Sequence, residues 1–270
     1  MYEELLQIAV QAALEAGTAV LDVYRSDFAF EAKEDKSPLT EADLQSHRII
    51  ARHLAATSFP VLSEEGRNIP YSERHHWPRL WIVDPLDGTK EFIKRNGEFT
   101  VNIAMVDNGR PVLGVVLAPE RQVLYLAARN MGAYTVAKEA LSKLDKTATL
   151  ESILKHAQRL PCFDGKGRSF TVIGSRSHGG PDLDAYVESM RERHGRVDFV
   201  SAGSSLKFCL VAEGRADVYP RLGPTMEWDT AAGQAVVEQS GGRVLVHKSG
   251  LPLTYNRENL LNPDFIVHAT

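Results

Sequence analysis

Two aspartates three residues apart, Asp84 and Asp87 in WIVDPLDGTKEF, come straight off an apolar run that reads as a buried strand. Carboxylates set this closely repel one another unless a cation lies between them, and Pro85 stiffens the turn that keeps them together. Hard oxygen ligands at short spacing suit Mg²⁺, which is held by a few carboxylates, retained waters and substrate phosphate. Gly88 and Thr89 then open a polar segment, TKEFIK, that can begin a helix. The first N–H groups of a helix have no internal partners and would face an anion. Carboxylates for metal beside amides for phosphate describe a site for phosphoester chemistry.

Three further acidic stretches stand out: Asp43 in TEAD, Glu64-Glu65 in LSEEG and Asp229 in EWDTAAG. Each has a purely structural explanation. Thr40 can cap a helix with Asp43 at its third position, where the helix dipole favours a carboxylate. Glu64 and Glu65 suit a solvated turn, and Asp229 suits the first turn of another helix. The adjacent His75-His76 pair invites a metal assignment, yet neighbouring side chains on regular structure do not turn readily to one site.

These residues need a scaffold. Residues 3–24 carry Leu5, Leu6, Ile8, Ala9, Ala12, Ala13, Ala16, Val20 and Leu21 at helical spacing. Phe28, Phe30 and Ala32 alternate as a short strand, the turn EDKSP follows, and a second helix runs from Thr40 through Ile49, Ile50 and Leu54. FTVNIAMV and PVLGVVLAP are predicted strands joined in a hairpin around Asn108-Gly109. VLYLAAR and GAYTV continue the meander, so the first half reads as two helices on a largely antiparallel sheet. Residues 137–168 are charged and weakly patterned, and mark the join between an N-terminal α+β subdomain (1–136) and a C-terminal α/β subdomain (137–270). In the latter, FTVIGS, a helix over 181–194, VDFVSAG, a helix over 204–213, ADVYP, a helix from Asp229, VLVH and DFIVHA alternate as a layered α/β unit.

The 270 residues are 43% hydrophobic and carry a formal net charge of -4, which argues against coating a nucleic-acid polymer but not against a local basic pocket. Cys162 and Cys209 are too few and too far apart for a disulfide framework, so buried thiols in a reducing compartment are expected. The start, MYEELLQIAVQAALEAG, lacks a basic leader, and no apolar run is expected to approach the ~20 residues that span a bilayer. A soluble cytoplasmic protein without an integral membrane segment is the expectation.

Taken together, Ser63-Glu64-Glu65, the DPLDGTKEF run over 84–92 and Trp228-Asp229-Thr230-Ala231-Ala232-Gly233 resemble the motifs of the inositol monophosphatase superfamily, in order and spacing over nearly the whole chain. The stretch from Gly203 to Gly214, with Tyr219-Pro220-Arg221, is similar to the 3'(2'),5'-bisphosphate nucleotidase branch. Residues 67–79 and 137–168 depart from that pattern. The resemblance implies the sugar-phosphatase fold, an α/β/α/β/α sandwich. It further implies Mg²⁺-dependent hydrolysis of 3'-phosphoadenosine 5'-phosphate (PAP) to AMP and phosphate, with sensitivity to Li⁺. By the same resemblance Glu64, Asp84 and the Leu86 carbonyl hold one Mg²⁺, and Asp84, Asp87 and Asp229 a second. Asp43 and Thr89 orient water and serve a third, weaker ion, while Glu65 orients the ligands. The phosphate rests on N–H groups from Leu86 through Asp87 and Gly88 to Thr89. Inositol monophosphate and fructose 1,6-bisphosphate are the rival substrates, and a catalytically silent phosphate binder would be expected to have lost a ligand carboxylate. Monomer and homodimer are both left open, as is the peripheral placement at the inner membrane's cytoplasmic face that bacterial members of the branch suggest.

A substrate with a second phosphate needs basic groups about one ribose from the metals. Lys207 and Arg221, the latter eight residues before Asp229, are the candidates, and Ser204 beside them is counted among the substrate-binding residues. The competing expectation is that Lys207 and Arg221 are ordinary solvated charges, the usual fate of Lys and Arg.

Overall fold

A computed structural model of the chain describes residues 2–27, 30–32, 38–143, 148–175 and 180–270. The predicted N-terminal stripe forms helix α1 (Tyr2–Tyr24), and the strands β1 (Phe30–Ala32) and β2 (Pro38–Thr40) pair antiparallel before α2 (Glu41–Leu54). Phe28 and residues 34–37 of the expected turn lie outside the described residues. Next come β3 (Val61–Ser63), α3 (Tyr71–Arg74), β4 (Arg79–Asp87) and α4 (Thr89–Ile93). The meander follows as β5 (Thr100–Asp107), β6 (Arg110–Ala118), β7 (Val123–Ala128) and β8 (Gly132–Val136). Beyond it lie α5 (Lys138–Leu141), α6 (Leu150–Leu154), β9 (Gln158–Arg159), β10 (Phe170–Gly174), α7 (Pro181–His194) and β11 (Val197–Ser201). The chain finishes with α8 (Leu206–Glu213), β12 (Val218–Arg221), α9 (Glu227–Gln239), β13 (Arg243–Val246) and β14 (Phe265–His268).

Strands β3 to β9 lie in sequence order in one seven-stranded sheet, with β3 parallel to β4 and every other pair antiparallel. The hairpin expected at Asn108-Gly109 is present, and both residues have positive φ (49° and 74°), as a tight hairpin turn requires. A five-stranded sheet orders β11-β10-β12-β14-β13 and mixes parallel with antiparallel pairs. Strand β9, within the expected 137–168 join, is added to the seven-stranded sheet beside β8.

Alternation along the strands explains the layers. On β4, Trp81 and Val83 face α1 and α2, whereas Leu80 and Ile82 face α8, α9 and the apolar residues of the second sheet. A strand covered on both sides must be apolar throughout, which is why β4 to β7 read as continuous hydrophobic runs. On the far face of the five-stranded sheet, Val172, Val218 and Ile266 pack against Leu183, Val187 and Met190 of α7. The result is an α/β/α/β/α sandwich, as the resemblance implied. The middle layer packs closely: a Cβ on Gly114 of β6 would lie 2.4 Å from the Ala232 carbonyl oxygen of α9.

One expectation is corrected. Helix α1, at 23 residues, is long and apolar enough by length and composition to cross a membrane. Its alanines raise the mean hydropathy although Glu15 and Asp22 interrupt the apolar run. In the fold its apolar face is buried in the core, and Glu15 pairs with Arg52 (2.8 Å) and His53 (2.7 Å) of α2.

Candidate active site

Strand β4 runs through Asp84 and continues to Asp87, with a shift in its pairing to β5 between the two. The irregularity is what brings two carboxylates to one place, since an unbroken strand would alternate them in a different pattern. Asp229, at the third position of α9, meets them from the other half of the chain. One carboxylate oxygen from each of Asp84, Asp87 and Asp229 lies within 4.8 Å of the others, and Asp84 is 1% exposed.

Burial, followed by the charges of Glu64 and Asp87, pushes the Asp84 carboxyl well above the usual range. Burial, followed by the charge of Asp87, does the same to Asp229. Three acids with no basic residue among them gain most from a divalent cation, and the all-oxygen donor set fits a hard ion. Glu64 directly follows β3 and its N–H donates to the Val83 carbonyl at 3.1 Å, which ties it beside Asp84. Glu65 is half-buried, and its charge acts on His47, whose Nδ1 contacts Ser63 Oγ at 2.9 Å.

Local amides fix the orientation of these acids. Leu86 N–H donates to Asp84 Oδ1 at 3.0 Å, and Met226 N–H donates to Asp229 Oδ2 at 2.8 Å. The Leu86 amide therefore orients a carboxylate, which corrects the expectation that it cradles phosphate. Asp43 Oδ2 accepts from the Thr40 N–H (2.7 Å) and hydroxyl (2.6 Å) in the predicted helix cap. Its other oxygen, Oδ1, is 3.5 Å from Thr89 Oγ1, which lies 3.4 Å from the Leu86 carbonyl. Capping and chemistry are thus not alternatives for Asp43 or Asp229, because each carboxylate has two oxygens and spends one on its helix.

Three polar residues under the site carry no local signature in the sequence. Ser46 Oγ donates to the Pro85 carbonyl at 2.7 Å, and Asn102 Nδ2 and Ser205 Oγ reach Asp87 Oδ2 at 3.3 and 3.0 Å. Their sequence separations of 39, 15 and 118 residues place them beyond any local pattern.

A pocket opens beside the carboxylates, lined by Asp87, Gly88, Glu91, Ser204, Lys207, Tyr219, Arg221 and Asp229. Gly88 has φ 90°, and a Cβ there would meet Ser204 Cβ at 3.2 Å, so glycine keeps this corner open. Lys207 is 6% exposed, contrary to the solvated alternative. Its Nζ donates to the carbonyls of Ser204 (2.7 Å) and Ala202 (3.3 Å) and lies 5.5 Å from the centre of the Tyr219 ring. Burial lowers its pKa to about 8, partly opposed by the charge of Asp87. Arg221 is half-buried; Nη2 donates to the Pro224 carbonyl at 2.7 Å, and Nε is shut off from solvent without a hydrogen-bond partner. His75 and His76 are exposed and stand outside this cluster, their rings 3.6 Å apart.

The family model described as "Inositol monophosphatase family" matches residues 1–268. The chain is 44% identical to the 3'(2'),5'-bisphosphate nucleotidases CysQ of Shigella flexneri and Escherichia coli K12, over 97% of this chain and 99% of each relative. The crystal structure of CysQ from Bacteroides thetaiotaomicron, described as a bacterial member of the inositol monophosphatase family, superposes with a TM-score of 0.91 at 47% identity. That match covers 100% of this chain and 98% of the other. SuhB of Mycobacterium tuberculosis shares the fold at 24% identity, with a TM-score of 0.67. Motifs, layer order and site geometry agree with these similarities, and the chain belongs to the inositol monophosphatase family.

Proposed function

We propose that the protein is a Mg²⁺-dependent phosphatase that removes the 3'-phosphate of PAP to give AMP and phosphate. The observation that carries this is the meeting of Asp84, Asp87 and Asp229 at one end of a pocket whose wall includes two cations, Lys207 and Arg221. A substrate with phosphates on both sides of one ribose matches a pocket that can hold anions at both ends. The relatives at 44% identity, named as bisphosphate nucleotidases, support the same activity.

Glu64, Asp84 and the Leu86 carbonyl would hold one ion and Asp84, Asp87 and Asp229 a second, with the Asp43–Thr89 pair serving a third, weaker one. When bound, Mg²⁺ supplies Lewis acidity, neutralising phosphoryl oxygens and acidifying water in an in-line displacement. The chain's own work is positional and protic. Thr89 Oγ1, between Asp43 Oδ1 and the Leu86 carbonyl, orients the attacking water and takes a proton from it as its own hydroxyl proton passes to Asp43. Amides of Asp87, Gly88 and Thr89 receive the departing phosphate, while Lys207 and Arg221 hold the 5'-phosphate, with Ser204, its hydroxyl engaged by Thr100, shaping the wall beside them. Such a protein is a soluble small-molecule enzyme of the cytoplasm.

Phosphate release from PAP, measured with Mg²⁺ and again after chelation, tests the proposal. Release should require Mg²⁺ and return when it is restored. No release above the blank with Mg²⁺ present, or equal release in chelator, would contradict it.

A further inference from the structure

Two of the three clustered aspartates are oriented by amides within three residues of themselves, Asp84 by Leu86 and Asp229 by Met226. Asp87 is not. Its Oδ2 is held by the side chains of Ser205 (3.0 Å) and Asn102 (3.3 Å), from a different helix and a different strand.

Ser205 is the N-cap of α8, the position where a serine hydroxyl ordinarily accepts an N–H from the helix's first turn. Here it makes no such cap bond. The hydroxyl instead accepts from Asn102 Nδ2 at 2.9 Å and faces two oxygens, Asp87 Oδ2 and the Asp229 backbone carbonyl at 2.9 Å. A hydroxyl has one proton, and both oxygens are acceptors when Asp87 is ionised. The single proton is therefore shared between a carboxylate on β4 and the helix that carries Asp229.

The arrangement is braced from behind. Thr100 Oγ1 donates to Asn102 Oδ1 at 3.0 Å, which fixes the amide so that Nδ2 points at Ser205 and Asp87. With its proton committed there, Thr100 accepts from Ser204 Oγ at 2.7 Å. Ser204 sits at φ 46°, a left-handed conformation that non-glycine residues rarely take, and Lys207 Nζ holds its carbonyl. Strain in the loop and a forgone helix cap both serve to bring the Ser205 hydroxyl under the carboxylates.

We infer that Ser205, oriented by Asn102, is a positioning residue that sets the Asp87 carboxylate against Asp229 and thereby tunes the affinity of the metal site. The inference rests on the proposal that these carboxylates hold divalent cations. Groups that orient metal ligands affect affinity or activity by about 10–100-fold.

Mg²⁺ titration by calorimetry of substrate-free wild type and Ser205→Ala tests it, with the Mg²⁺ dependence of PAP hydrolysis read in parallel. Mg²⁺ binding should weaken by about tenfold or more in the variant. The half-activating Mg²⁺ concentration should rise with it, and the activity deficit should narrow as Mg²⁺ is raised. The melting temperature in chelator should fall modestly, since the buried hydroxyl bonds Asn102, Asp87 and the Asp229 carbonyl, and its rise on adding Mg²⁺ should be smaller than in wild type. A variant that binds Mg²⁺ as tightly as wild type overturns the inference and leaves the metal proposal standing. A wild type that binds no Mg²⁺ overturns both.

Discussion

Replacing Arg221 by alanine separates recognition of the second phosphate from the chemistry at the first. Arg221 lines the pocket; one N–H of Nη2 is committed to the Pro224 carbonyl and Nε is shut off from solvent, which leaves the other terminal N–H groups of the guanidinium. A phosphate that takes up one of these terminal N–H groups forms a charge-assisted hydrogen bond, worth about 1.5–3 kcal/mol. Taking ~2 kcal/mol for this half-exposed side chain, and ~1.4 kcal/mol per factor of ten, Arg221→Ala should raise KM for PAP about 30-fold. For adenosine 3'-monophosphate, which lacks the 5'-phosphate, the change should stay within about threefold, since loss of the Pro224 tether perturbs both substrates equally. Arg221→Lys keeps the charge without the planar fork and should fall between. Steady-state phosphate release with each substrate at saturating Mg²⁺ gives the two ratios. Equal rises on both substrates would refute the second-phosphate role of Arg221.

Asp84→Asn should lower kcat/KM for PAP by at least about 10³-fold, some 4 kcal/mol of barrier, with circular dichroism unchanged. Because burial and neighbouring acids raise the Asp84 pKa, its ionised form opposes folding when no metal is bound. Wild type in chelator should therefore gain stability as pH falls from neutral toward the ordinary carboxylate range, and Asp84→Asn should diminish that gain in thermal melts. Lys207, with a pKa of about 8, loses its charge as pH rises through that value, so KM for PAP should climb between pH 7 and 9. The climb should be absent for adenosine 3'-monophosphate. Gly114→Ala forces a Cβ to 2.4 Å from the Ala232 carbonyl oxygen and should destabilise by about 1–3 kcal/mol in denaturant titration.

The parts of this molecule legible in its sequence are those in which a local rule and the tertiary structure agree. The Asn108-Gly109 hairpin could be read because both residues tolerate positive φ, and the Thr40–Asp43 cap because its two partners are three residues apart. The strand-then-carboxylate order of DPLDGT was equally plain. Less so was the pairing shift of β4, which carries the strand through Asp87 and not just up to Asp84. Strand β3, three residues long, and β9, two residues long within a charged segment, are too short for periodicity to register. Ser46, Asn102 and Ser205 carry no sign of their role, since serine and asparagine are common in turns and their partners lie far along the chain. Burial of Lys207 was invisible for a different reason: the Ser204 and Ala202 carbonyls that receive its amine are near in sequence but are presented to it by a loop in which Ser204 takes a positive φ.

The central claim, that this site hydrolyses a nucleotide bisphosphate, is tested most directly by kcat/KM on a substrate panel at fixed Mg²⁺. PAP, inositol monophosphate and fructose 1,6-bisphosphate share the phosphoester chemistry and differ in what Lys207 and Arg221 can reach. PAP should be preferred over inositol monophosphate by well over tenfold, because the ~2 kcal/mol contact at Arg221 is open only to a second phosphate. A wild-type protein that hydrolyses inositol monophosphate as well as or better than PAP would contradict it.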